Sequence, residues 1–560
     1  MAYQKTKIMK YIIVGAVAGG ASTAARLRRL DEQAEIVIFE KGAYISYANC
    51  GLPYYIGEVI KDRNKLFVQT ASAFNKRFNI DVRVMTEVTA IDSANKTITA
   101  KNQVSGEEYQ ETYDKLVLSP GAEPLRPPLP GINSEGIFTL RNVTDTDYIS
   151  NYIKDKKGKK AVVIGGGFIG LEMAENLHGL GMDVTIVEMG NQVMAPMDFP
   201  MAALVQQHIR TKGVHLLLNN AVSGFERVDG QLKVSLKSGN TLEADVVILS
   251  IGVKPDTRLA VGAGLKIGEA RGIWVNEYMQ TSDPDIYAVG DAIEFANPIT
   301  GKAMITYLAG PANKQGRICA NNIVLGNVQQ YKGSINTAIV KVFDMTVGTA
   351  GMASKHLQLS GIKHIVSTTH NGSHAGYYPG SMQMSIQIAF SPEDGQLLSA
   401  QVAGYDGADK RLDILASVIK RNGTIYDLAE FEHAYAPPFS SAKDPVNMVG
   451  FVAENILLKR LSVFYWNELD RVGPDDILLD VRTAAEYNQG FIADSVNLPI
   501  DELRERLDEL PKDKTIYIYC EAGLRGYLGQ RILKQSGFNQ VYNLSGGYKL
   551  WKSCVEESAA

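Results

Sequence analysis

The chain has 560 residues, which is too long for one hydrophobic core and predicts three or four domains. Hydrophobic residues make up 45% and charged residues 21%, as in ordinary globular proteins, and a net charge of −4 without a basic stripe argues against a nucleic-acid partner. No apolar run reaches the roughly 18 residues that a membrane-spanning helix needs, and four scattered cysteines make no disulfide framework and favour a reducing cytoplasm.

The first predicted element is a strand followed by a glycine turn and an Ala-rich helix, in YIIVGAVAGGASTAARLRRL (residues 11–30). Lysines before the apolar run are also typical of a signal peptide, but the helix that follows, with no cleavage site, favours the strand. Val17 stands where the G-x-G-x-x-G fingerprint has its middle glycine. A phosphate can approach the amides at the helix N-terminus where three glycines bend the chain, namely Gly15, Gly19 and Gly20.

The next predicted strand, EIVIFE, ends in Glu40. An acidic residue about 20 positions after such a loop suits a pair of ribose hydroxyls. The alternative interpretation of this segment is an ordinary β-α-β turn with an acid there by chance.

A second segment, residues 160–190, carries the complete fingerprint in KAVVIGGGFIGLEMAENLHGLGMDVTIVEMG, with glycines at Gly165, Gly167 and Gly170. Two such units predict two bound dinucleotides. The strand after the second loop ends in Glu188, which favours NADH over NADPH because a carboxylate would repel the 2′-phosphate. The residues that follow, MGNQ, contain no Arg or Lys to receive that phosphate.

A third motif, TSDPDIYAVGDA (residues 281–292), predicts a strand that delivers Asp291 to a flavin ribityl hydroxyl. Strand-then-glycine stretches at 113–124 and 244–256 would return the chain between domains. With these motifs in this order, residues 10–450 resemble the flavoprotein disulfide reductases that bind two dinucleotides. The resemblance implies FAD and NADH as cofactors.

One cysteine, Cys50, stands in SYANCGLPYY (residues 46–55), with no second cysteine nearby. An electron pair that reaches Cys50 must therefore be stored as a mixed disulfide, a sulfenic acid or a persulfide. The segment resembles the single-cysteine branch, which holds coenzyme A disulfide reductases, NADH oxidases and NADH peroxidases. A helix start beside Cys50 would stabilise its thiolate, whereas the alternative is a buried structural cysteine. Cys319 is expected in the core, and Cys554 is given no role.

Two arginines of the first helix, Arg26 and Arg29, are three residues apart and share a helix face. A basic cluster suits the phosphates of coenzyme A, although such a face can also be merely solvated. The resemblance to coenzyme A disulfide reductases implies a wider set of substrate contacts, namely Ser22, Arg26, Arg29, Ser46, Asn49, Lys76, Asn313 and Lys443.

Residues 335–450 resemble the dimerisation domain of this family, with β-rich segments followed by a helical stretch. The resemblance implies a homodimer in which Tyr377 and Tyr435 of the neighbouring subunit reach the catalytic sulfur, with Tyr378 as an alternative to Tyr377. A phenol can stabilise a thiolate leaving group by a hydrogen bond. No resolving histidine of the kind expected for an oxidase or peroxidase follows the first glycine loop, which makes that function the weaker interpretation.

The last hundred or so residues predict a separate α/β unit. A strand ends in Asp480 and Arg482 within residues 475–499, and another runs directly into Cys520 within residues 514–538. This region resembles a single rhodanese (sulfurtransferase) domain, which implies catalytic roles for Cys520 and Arg525. The six-residue loop from Cys520 to Arg525 is one residue shorter than in related phosphatases, and its amides favour a thiolate or persulfide on Cys520.

The sequence thus predicts an α/β protein with two Rossmann-like dinucleotide-binding domains, an α+β dimerisation domain and a C-terminal α/β rhodanese domain. Expected boundaries are 8–155 with 280–334 for FAD, 156–279 for NAD, 335–458 for dimerisation and 462–560 for the rhodanese domain.

The expected function is NADH-driven, FAD-dependent reduction of coenzyme A disulfide, coenzyme A persulfide or polysulfide through a Cys50 mixed disulfide, with Cys520 carrying sulfane sulfur. Coenzyme A is bound as mixed disulfide or substrate, and no metal, nucleic acid or membrane is expected. The alternatives are an NADH oxidase or peroxidase that uses a Cys50 sulfenic acid, and a persulfide-sensing flavoprotein.

Overall fold

Both glycine loops follow a central strand of a parallel sheet in the computed structural model, which describes residues 7–559. The described chain divides into two units. The first runs to Val187 and resumes over Ala221–Ser334, and the second contains Glu188–Asn220 and continues from Ile335. The predicted α/β fold class is confirmed.

The first stretch of the first unit contains eleven strands and five helices, numbered along the whole chain: β1 (Lys10–Val14), α1 (Ala18–Leu30), β2 (Glu35–Phe39), α2 (Leu52–Ile56), α3 (Ala71–Phe78), β3 (Asp81–Arg83), β4 (Thr86–Asp92), β5 (Thr97–Asn102), β6 (Glu108–Thr112), β7 (Lys115–Leu118), β8 (Ala122–Pro124), β9 (Ile137–Phe138), α4 (Val143–Lys156), β10 (Lys160–Ile164), α5 (Phe168–Gly179) and β11 (Asp183–Val187). Its second stretch contains β13 (Val222–Val228), β14 (Gln231–Leu236), β15 (Thr241–Ala244), β16 (Val246–Leu249), β17 (Val253–Pro255), α7 (Arg258–Gly262), β18 (Ile273–Trp274), β19 (Ile286–Ala288), β20 (Ile293–Ala296), β21 (Ala303–Met304) and α8 (Ala309–Leu325).

Two parallel sheets position the glycine loops. The first has the strand order β19-β7-β1-β2-β3, and the strands β11-β10-β16-β9 of the same unit form the second. After their first residues, β1 and β10 are buried throughout, which is typical of parallel strands with both faces covered. Each glycine loop therefore lies at the carboxyl end of a sheet, where nucleotides bind in folds of this kind.

The second unit contains its own sheets and helices: α6 (Phe199–Thr211), β12 (His215–Leu217), β22 (Ala338–Val342), β23 (Met345–Gly351), α9 (Ser354–Leu359), β24 (Ile365–Gly372), β25 (Gln383–Phe390), β26 (Leu397–Gly404), α10 (Ala408–Lys420), α11 (Ile425–Ala429), α12 (Pro445–Leu457), β27 (Val463–Phe464), β28 (Ile477–Asp480), α13 (Ala484–Asn488), β29 (Val496–Asn497), β30 (Ile516–Tyr519), α14 (Leu524–Gln535), β31 (Val541–Leu544) and α15 (Gly547–Ala559).

An antiparallel sheet with the order β22-β23-β26-β25-β24 forms the first layer of this unit. Part of one face is polar, because the amide side chains of Gln387 and Gln401 donate to the buried Asp198 carboxylate at 2.8 and 2.6 Å. Asp198 stands just before α6 and also accepts from backbone amides at the start of α9. These bonds fix the segment that carries α6 to the sheet.

The C-terminal domain is built on a parallel sheet with the order β27-β31-β30-β28-β29. The central strand β30 is almost entirely buried between its neighbours, and Cys520 follows it directly. The sheet thus delivers this cysteine to its carboxyl edge, as the sequence predicts.

The last helix, α15, packs along α6. Ala203, Leu550 and Cys554 form one buried apolar cluster between the two helices. Beside it the Gln206 amide donates to the buried Glu557 carboxylate at 3.0 Å. The sequence gives Cys554 no role, and in the structure its side chain is a packing group.

A buried histidine joins the C-terminal domain to the antiparallel sheet. His370 Nε2 lies 3.0 Å from the Gly546 carbonyl, and Nδ1 lies 2.7 Å from Ser385 Oγ. Because a carbonyl can only accept, Nε2 carries the proton of the neutral ring. Burial, and then the charge of Lys549, lower the pKa of His370 to about 4. Nearby, the Tyr465 hydroxyl donates to the Val366 carbonyl at 3.0 Å.

Within residues 7–559, the helices are too short or too polar to span a bilayer.

Candidate active site

The first glycine loop brings the start of α1 against the end of β1. Gly15 has a φ of +95°, and a Cβ there would lie 2.1 Å from the Ser119 carbonyl oxygen. A Cβ on Gly20 would lie 1.9 Å from the Gly15 carbonyl oxygen, and a Cβ on Gly19 would lie 2.9 Å from the Val289 side chain. The backbone amides of α1 are therefore open at a point that side chains would otherwise fill, which suits a phosphate.

Glu40 is tied to the same loop. Its Oε2 accepts from the Ala16 amide at 3.0 Å, and its Oε1 accepts from the Gly42 amide at 2.8 Å. The carboxylate is thereby oriented at the end of β2, where a ribose acceptor is needed.

The second loop repeats this packing with one difference. Gly165 has a φ of +104°, and a Cβ on Gly170 would lie 2.0 Å from its carbonyl oxygen. A Cβ on Gly167 would meet no atom within 4 Å, so the space in front of the α5 amides is open. The equivalent place in the first loop holds the half-buried Val17. Both loops fit a dinucleotide pyrophosphate.

Glu188 follows β11 and accepts from the Gly190 amide through Oε1 at 2.7 Å. This bond repeats the bond between Glu40 and Gly42 at the end of the other sheet. The spacing Glu-x-Gly, which occurs in both segments, is a signal that the sequence analysis does not use.

Asp291 lies three residues after β19 and is partly buried. Burial raises its pKa to about 6, against the lowering influence of the Arg141 guanidinium. A carboxylate at this position can accept a hydrogen bond from a hydroxyl-bearing ligand such as a ribityl chain.

Cys50 is exposed and lies in a single turn of 3₁₀-helix, Asn49–Gly51, just before α2. Its pKa is raised, first because neighbouring protein atoms displace water from the thiol, and then because the Glu172 and Asp291 carboxylates repel a thiolate. The expected stabilisation by a helix start is weak here, since α2 has only five residues.

Glu172 is a residue that the sequence analysis misses. The Tyr54 hydroxyl donates to its Oε1 at 3.4 Å, and Tyr54 lies one helical turn after Cys50. Burial raises the pKa of Glu172 to about 7. The signal in the sequence is an acid two residues after Gly170, inside an otherwise apolar helix start.

An arginine cluster forms where α1 meets α8. Arg26 Nε donates to Asn321 Oδ1 at 2.8 Å, and the pKa of Arg26 is lowered by desolvation and then by the charges of Arg317 and Arg29. Arg317 is exposed and is missed by the sequence analysis, because it stands on a distant helix. The Ser22 hydroxyl of the same face donates to Asn313 Oδ1. This arginine cluster (Arg26, Arg29 and Arg317) can attract a polyanion.

The other proposed substrate residues are more scattered. Ser46 has a φ of 45° and its amide donates to the Ala16 carbonyl at 2.8 Å, which places it beside the first glycine loop. Asn49 is exposed next to Cys50. Lys76 is exposed on α3, and Lys443, in the second unit, is exposed just before α12.

Tyr377 and Tyr435 form a pair on the surface of the second unit. Their hydroxyl oxygens are 2.8 Å apart, and this bond raises the pKa of Tyr377. Both rings are well exposed, at 76% and 46%. Tyr378 instead sets its ring edge to face against His374 at 5.6 Å. The geometry pairs Tyr377, not Tyr378, with Tyr435.

A buried ion pair holds the two loops that carry these tyrosines. Arg411 Nη2 donates to Asp444 Oδ2 at 2.8 Å and to the Ser373 carbonyl at 2.8 Å. Both charged side chains are almost fully buried. The attraction of Arg411 is one of the influences that lower the pKa of Asp444 against its burial.

Cys520 begins the loop of the C-terminal domain, and its side chain is 1% exposed. The Gly523 amide donates to its Sγ at 3.1 Å, and Gly523, with a φ of +110°, is the cap of α14. The backbone of the loop therefore curls around the sulfur, as in an anion cradle.

Arg525 completes this loop. Its guanidinium donates to both oxygens of Glu486 at 2.7 and 2.6 Å, which lowers the pKa of Glu486 to about 2. The pKa of Arg525 is raised by Glu486 and, to a smaller extent, by Cys520. The guanidinium thus lies close to the sulfur.

The start of α15 supports the same loop from behind. The Tyr548 amide donates to the Cys520 carbonyl at 2.8 Å, and the Lys549 amide donates to the Glu521 carbonyl at 3.1 Å. The loop is therefore fixed by the helix that also packs on α6.

Cys319 is fully buried, and burial raises its pKa. The four cysteines are free thiols. In the described part of the chain, no group of three His, Cys, Asp or Glu side chains could hold a metal ion.

Comparisons with known families match the chain in three parts. Residues 9–316 match the pyridine nucleotide-disulphide oxidoreductases, residues 337–445 match the dimerisation domain of that family, and residues 465–554 match the rhodanese-like domain.

Individual relatives agree with these matches. A coenzyme A disulfide reductase of Staphylococcus haemolyticus is 36% identical over 447 residues, which cover 80% of this chain and 100% of the relative. The crystal structure of reduced Bacillus anthracis CoADR-RHD is 49% identical, with a TM-score of 0.97, and covers 99% of this chain and 100% of that one. An NAD-dependent persulfide reductase from A. fulgidus is 39% identical, with a TM-score of 0.92, and covers 97% and 100%.

The resemblance predicted from the sequence is therefore confirmed, and the chain belongs to the pyridine nucleotide-disulphide oxidoreductases, enzymes that use FAD and NADH, with a rhodanese-like domain after the dimerisation domain.

Proposed function

We propose that this enzyme uses NADH to reduce coenzyme A disulfide, coenzyme A persulfide or polysulfide through a mixed disulfide between Cys50 and coenzyme A. The observation that carries the proposal is an accessible Cys50 thiol, without a partner cysteine, in the same unit as the arginine cluster.

The two glycine loops would hold the cofactors. Gly15, Gly19, Gly20, Glu40 and Asp291 suit FAD, and the open space at Gly167 suits the pyrophosphate of NADH. FAD, when bound, supplies the transfer of an electron pair from NADH to the sulfur at Cys50. Glu188 would accept the ribose hydroxyls of NADH and repel NADPH.

In the persulfide reaction, the Cys50 thiolate attacks the inner sulfur of coenzyme A persulfide. The new sulfur–sulfur bond makes the mixed disulfide, and the outer sulfur leaves as hydrosulfide. Two electrons from NADH and one proton then cleave the mixed disulfide to the Cys50 thiolate and coenzyme A thiol. Coenzyme A disulfide would enter the same cycle, with coenzyme A thiolate as the leaving group.

The arginine cluster would hold the phosphates of coenzyme A. Desolvation, and then the charges of Arg317 and Arg29, lower the pKa of Arg26, and a bound polyanion would offset the repulsion among the three guanidinium groups. Ser22 and Asn313 lie on the same face and would add neutral contacts, with Ser46 and Asn49 nearer the sulfur. Lys76 and Lys443 remain proposed substrate contacts.

The raised pKa of Cys50 means that its thiolate needs a hydrogen-bond donor. We assign that role to the Tyr377–Tyr435 pair of a neighbouring subunit in a homodimer. The match to the family's dimerisation domain supports the assembly, and the exposure of both rings leaves them available to a second chain.

Cys520 would carry sulfane sulfur as a persulfide and pass it to a small thiol. The amide of Gly523 and the guanidinium of Arg525, both close to the sulfur, would stabilise the extra negative charge. The persulfide of that small thiol would then be reduced at Cys50.

Intact-mass analysis of the purified enzyme tests the central step. A covalent adduct of coenzyme A on Cys50, released by NADH, is the expected result. In the same mass analysis, an oxidase or peroxidase would show a sulfenic acid on Cys50. A separate steady-state assay identifies a sensor, which would show no steady oxidation of NADH with coenzyme A persulfide. Either of these results would replace the proposal.

A further inference from the structure

Glu172 is a half-buried acid that no step of the proposed cycle uses. It stands near the start of α5, two residues after Gly170 of the second glycine loop. Among the described residues, no Lys, Arg or His pairs with its carboxyl group. A charge removed from water is costly unless an opposite charge or good hydrogen bonds offset it. The position of Glu172 therefore calls for a physical reason.

Helix α2 holds Tyr54 against Glu172. α2 packs on α5, and the approach is close, because a Cβ on Gly57 at the end of α2 would lie 2.1 Å from the Asn176 side-chain oxygen. The Asn176 amide donates in turn to the Glu172 carbonyl at 2.8 Å. With the two helices in this contact, the Tyr54 hydroxyl lies 3.4 Å from Glu172 Oε1. The packing of the helices thus sets the distance between the two side chains.

The length of this bond indicates the charge of Glu172. A hydroxyl that donates to an ionised carboxylate usually lies about 2.5–2.7 Å from it, so a separation of 3.4 Å suits a neutral carboxyl group. The electrostatics agree, because burial, and to a smaller extent the charge of Glu175, raise the pKa of Glu172 to about 7 against the lowering influence of Tyr54. Glu172 therefore gains and loses its charge near neutral pH.

Cys50 lies within electrostatic reach of both side chains. It stands one helical turn before Tyr54, and a charge on its sulfur adds to the influences of burial and of Glu172 that raise the pKa of Tyr54. After desolvation, Glu172 is the largest influence that raises the pKa of Cys50, ahead of Asp291. A thiolate on Cys50 and a carboxylate on Glu172 would therefore destabilise each other.

We propose that Cys50 and Glu172 hold one negative charge between them, so that Glu172 is protonated when Cys50 is a thiolate. The S–H bond of Cys50 breaks, an O–H bond forms on Glu172, and no electron is gained or lost. When Cys50 is a mixed disulfide its sulfur is neutral, and Glu172 can release the proton to solvent. The inference rests on Cys50 as the reacting thiol of the proposed function.

The other charges around this pair do not provide the same balance. Asp291 acts on Cys50 more weakly than Glu172 does. Helix α4 also packs on α2, but its Lys154 pairs with Glu58, which follows α2 at the end away from Cys50. Glu172 is therefore the residue through which the surrounding protein controls the charge of the sulfur.

The test measures alkylation of Cys50 by iodoacetamide in the FAD-bound enzyme, after dithiothreitol has freed the thiol and has been removed. Mass spectrometry of the Cys50 peptide gives the rate, and the other three cysteines are buried. Only the thiolate reacts, so the rate reports its fraction. Two groups that share a charge titrate in two steps, and we expect two steps in the dependence of the rate on pH.

Three variants assign the effect. Glu172→Gln removes the charge and should give a single step, with alkylation at about pH 8 roughly three- to tenfold faster than in the wild type. Glu172→Asp keeps a carboxyl group and should keep both steps. Glu58→Gln removes an exposed carboxylate just after α2 and, as the matched control, should keep the wild-type profile.

Infrared difference spectra locate the proton. At about pH 8, alkylation makes the sulfur of Cys50 neutral and lets Glu172 ionise. The spectrum of the alkylated enzyme minus that of the free thiolate should therefore show the loss of a protonated carboxyl band. The same spectrum of Glu172→Gln should lack this change.

An alkylation profile of Glu172→Gln that matches the wild type would overturn the inference, and so would a wild-type difference spectrum without the carboxyl band. If Glu172→Gln raises KM for NADH and leaves alkylation unchanged, Glu172 is a nucleotide contact and the inference is equally wrong. These measurements need no sulfur substrate. The proposed function is refuted separately, by retention of persulfide turnover in Cys50→Ser.

Discussion

The hydroxyl oxygens of Tyr377 and Tyr435 lie 2.8 Å apart, although the two residues are 58 positions apart in the chain. The buried pair of Arg411 and Asp444 fixes the two loops that bring them together. In this pair one hydroxyl donates to the other, so the accepting hydroxyl keeps its own proton available to donate to a sulfur atom.

Tyr377→Phe and Tyr435→Phe should each lower kcat for coenzyme A disulfide by roughly tenfold or more, since a hydrogen bond to a charged group contributes about 1.5–3 kcal/mol. Tyr378→Phe is the matched control, because Tyr378 packs on His374, and it should keep near-normal kcat. Steady-state NADH oxidation measures all three. Loss of activity in the control alone would assign the role to Tyr378.

The two cysteines should divide the chemistry. Cys50→Ser should keep FAD and its reduction by NADH, because the glycine loops and Asp291 are untouched, but should abolish turnover of disulfide and persulfide. Cys520→Ser should spare coenzyme A disulfide and ready-made persulfides, and slow only turnover of polysulfide or elemental sulfur. If Cys520→Ser removes coenzyme A disulfide reduction as fully as Cys50→Ser, Cys520 is an obligatory redox partner and the delivery role is wrong.

Glu188→Ala should weaken NADH use and relax the discrimination against NADPH. Both a ribose acceptor and a repelling charge disappear, and the acceptor alone suggests roughly 1.5–3 kcal/mol in kcat/KM for NADH. Glu188→Gln separates the two causes, since it keeps an acceptor and removes the charge. Unchanged kinetics with both nucleotides would exclude Glu188 from the ribose site.

Glu172 predicts a pH dependence of stability. Its pKa is about 7 in the folded chain against the usual 4.5, so the folded chain holds a proton that the unfolded chain has lost between these values. The free energy of unfolding therefore falls as pH rises from about 4.5 to about 7, by at most roughly 3 kcal/mol for this group.

The side chain of Glu172→Gln cannot ionise, so this variant should lose that dependence of stability on pH. In the cofactor-free chain, the variant should therefore gain more unfolding temperature over the wild type at pH 8 than at pH 5. Calorimetric scans at both pH values measure the difference. Glu226→Gln, at an exposed position on β13, is the control. A slope that is unchanged in Glu172→Gln would show that Glu172 ionises as freely in the folded chain as in the unfolded one.

The sequence predicts well what local pattern determines. The strands before Gly15 and Gly165 are continuous apolar runs, and the glycines stand where a Cβ would collide with backbone, so both loops are evident from the chain alone. Cys520 follows an apolar strand and precedes a glycine and a helix, and its place at a sheet edge is equally local.

The parts that could not be predicted depend on contacts across long stretches of sequence. Arg317 lies near Arg26 only because α8 packs on α1, and no local sequence pattern predicts this proximity. The raised pKa of Glu172 depends on burial, which periodicity alone does not measure. The choice between Tyr377 and Tyr378 depends on the direction of neighbouring side chains on one loop.

The packing of α15 on α6 limits how this enzyme can be dissected. A chain cut before the rhodanese domain would lose that domain's chemistry, but it would also uncover Ala203 and deprive Gln206 and His370 of their acceptors. The cut would expose apolar surface around Ala203 and leave the donors of Gln206 and His370 without hydrogen-bond acceptors in the protein. New apolar surface favours self-association. Any fall in activity after such a deletion would therefore combine the loss of rhodanese chemistry with the effect of self-association. A single substitution at Cys520 tests the chemistry alone.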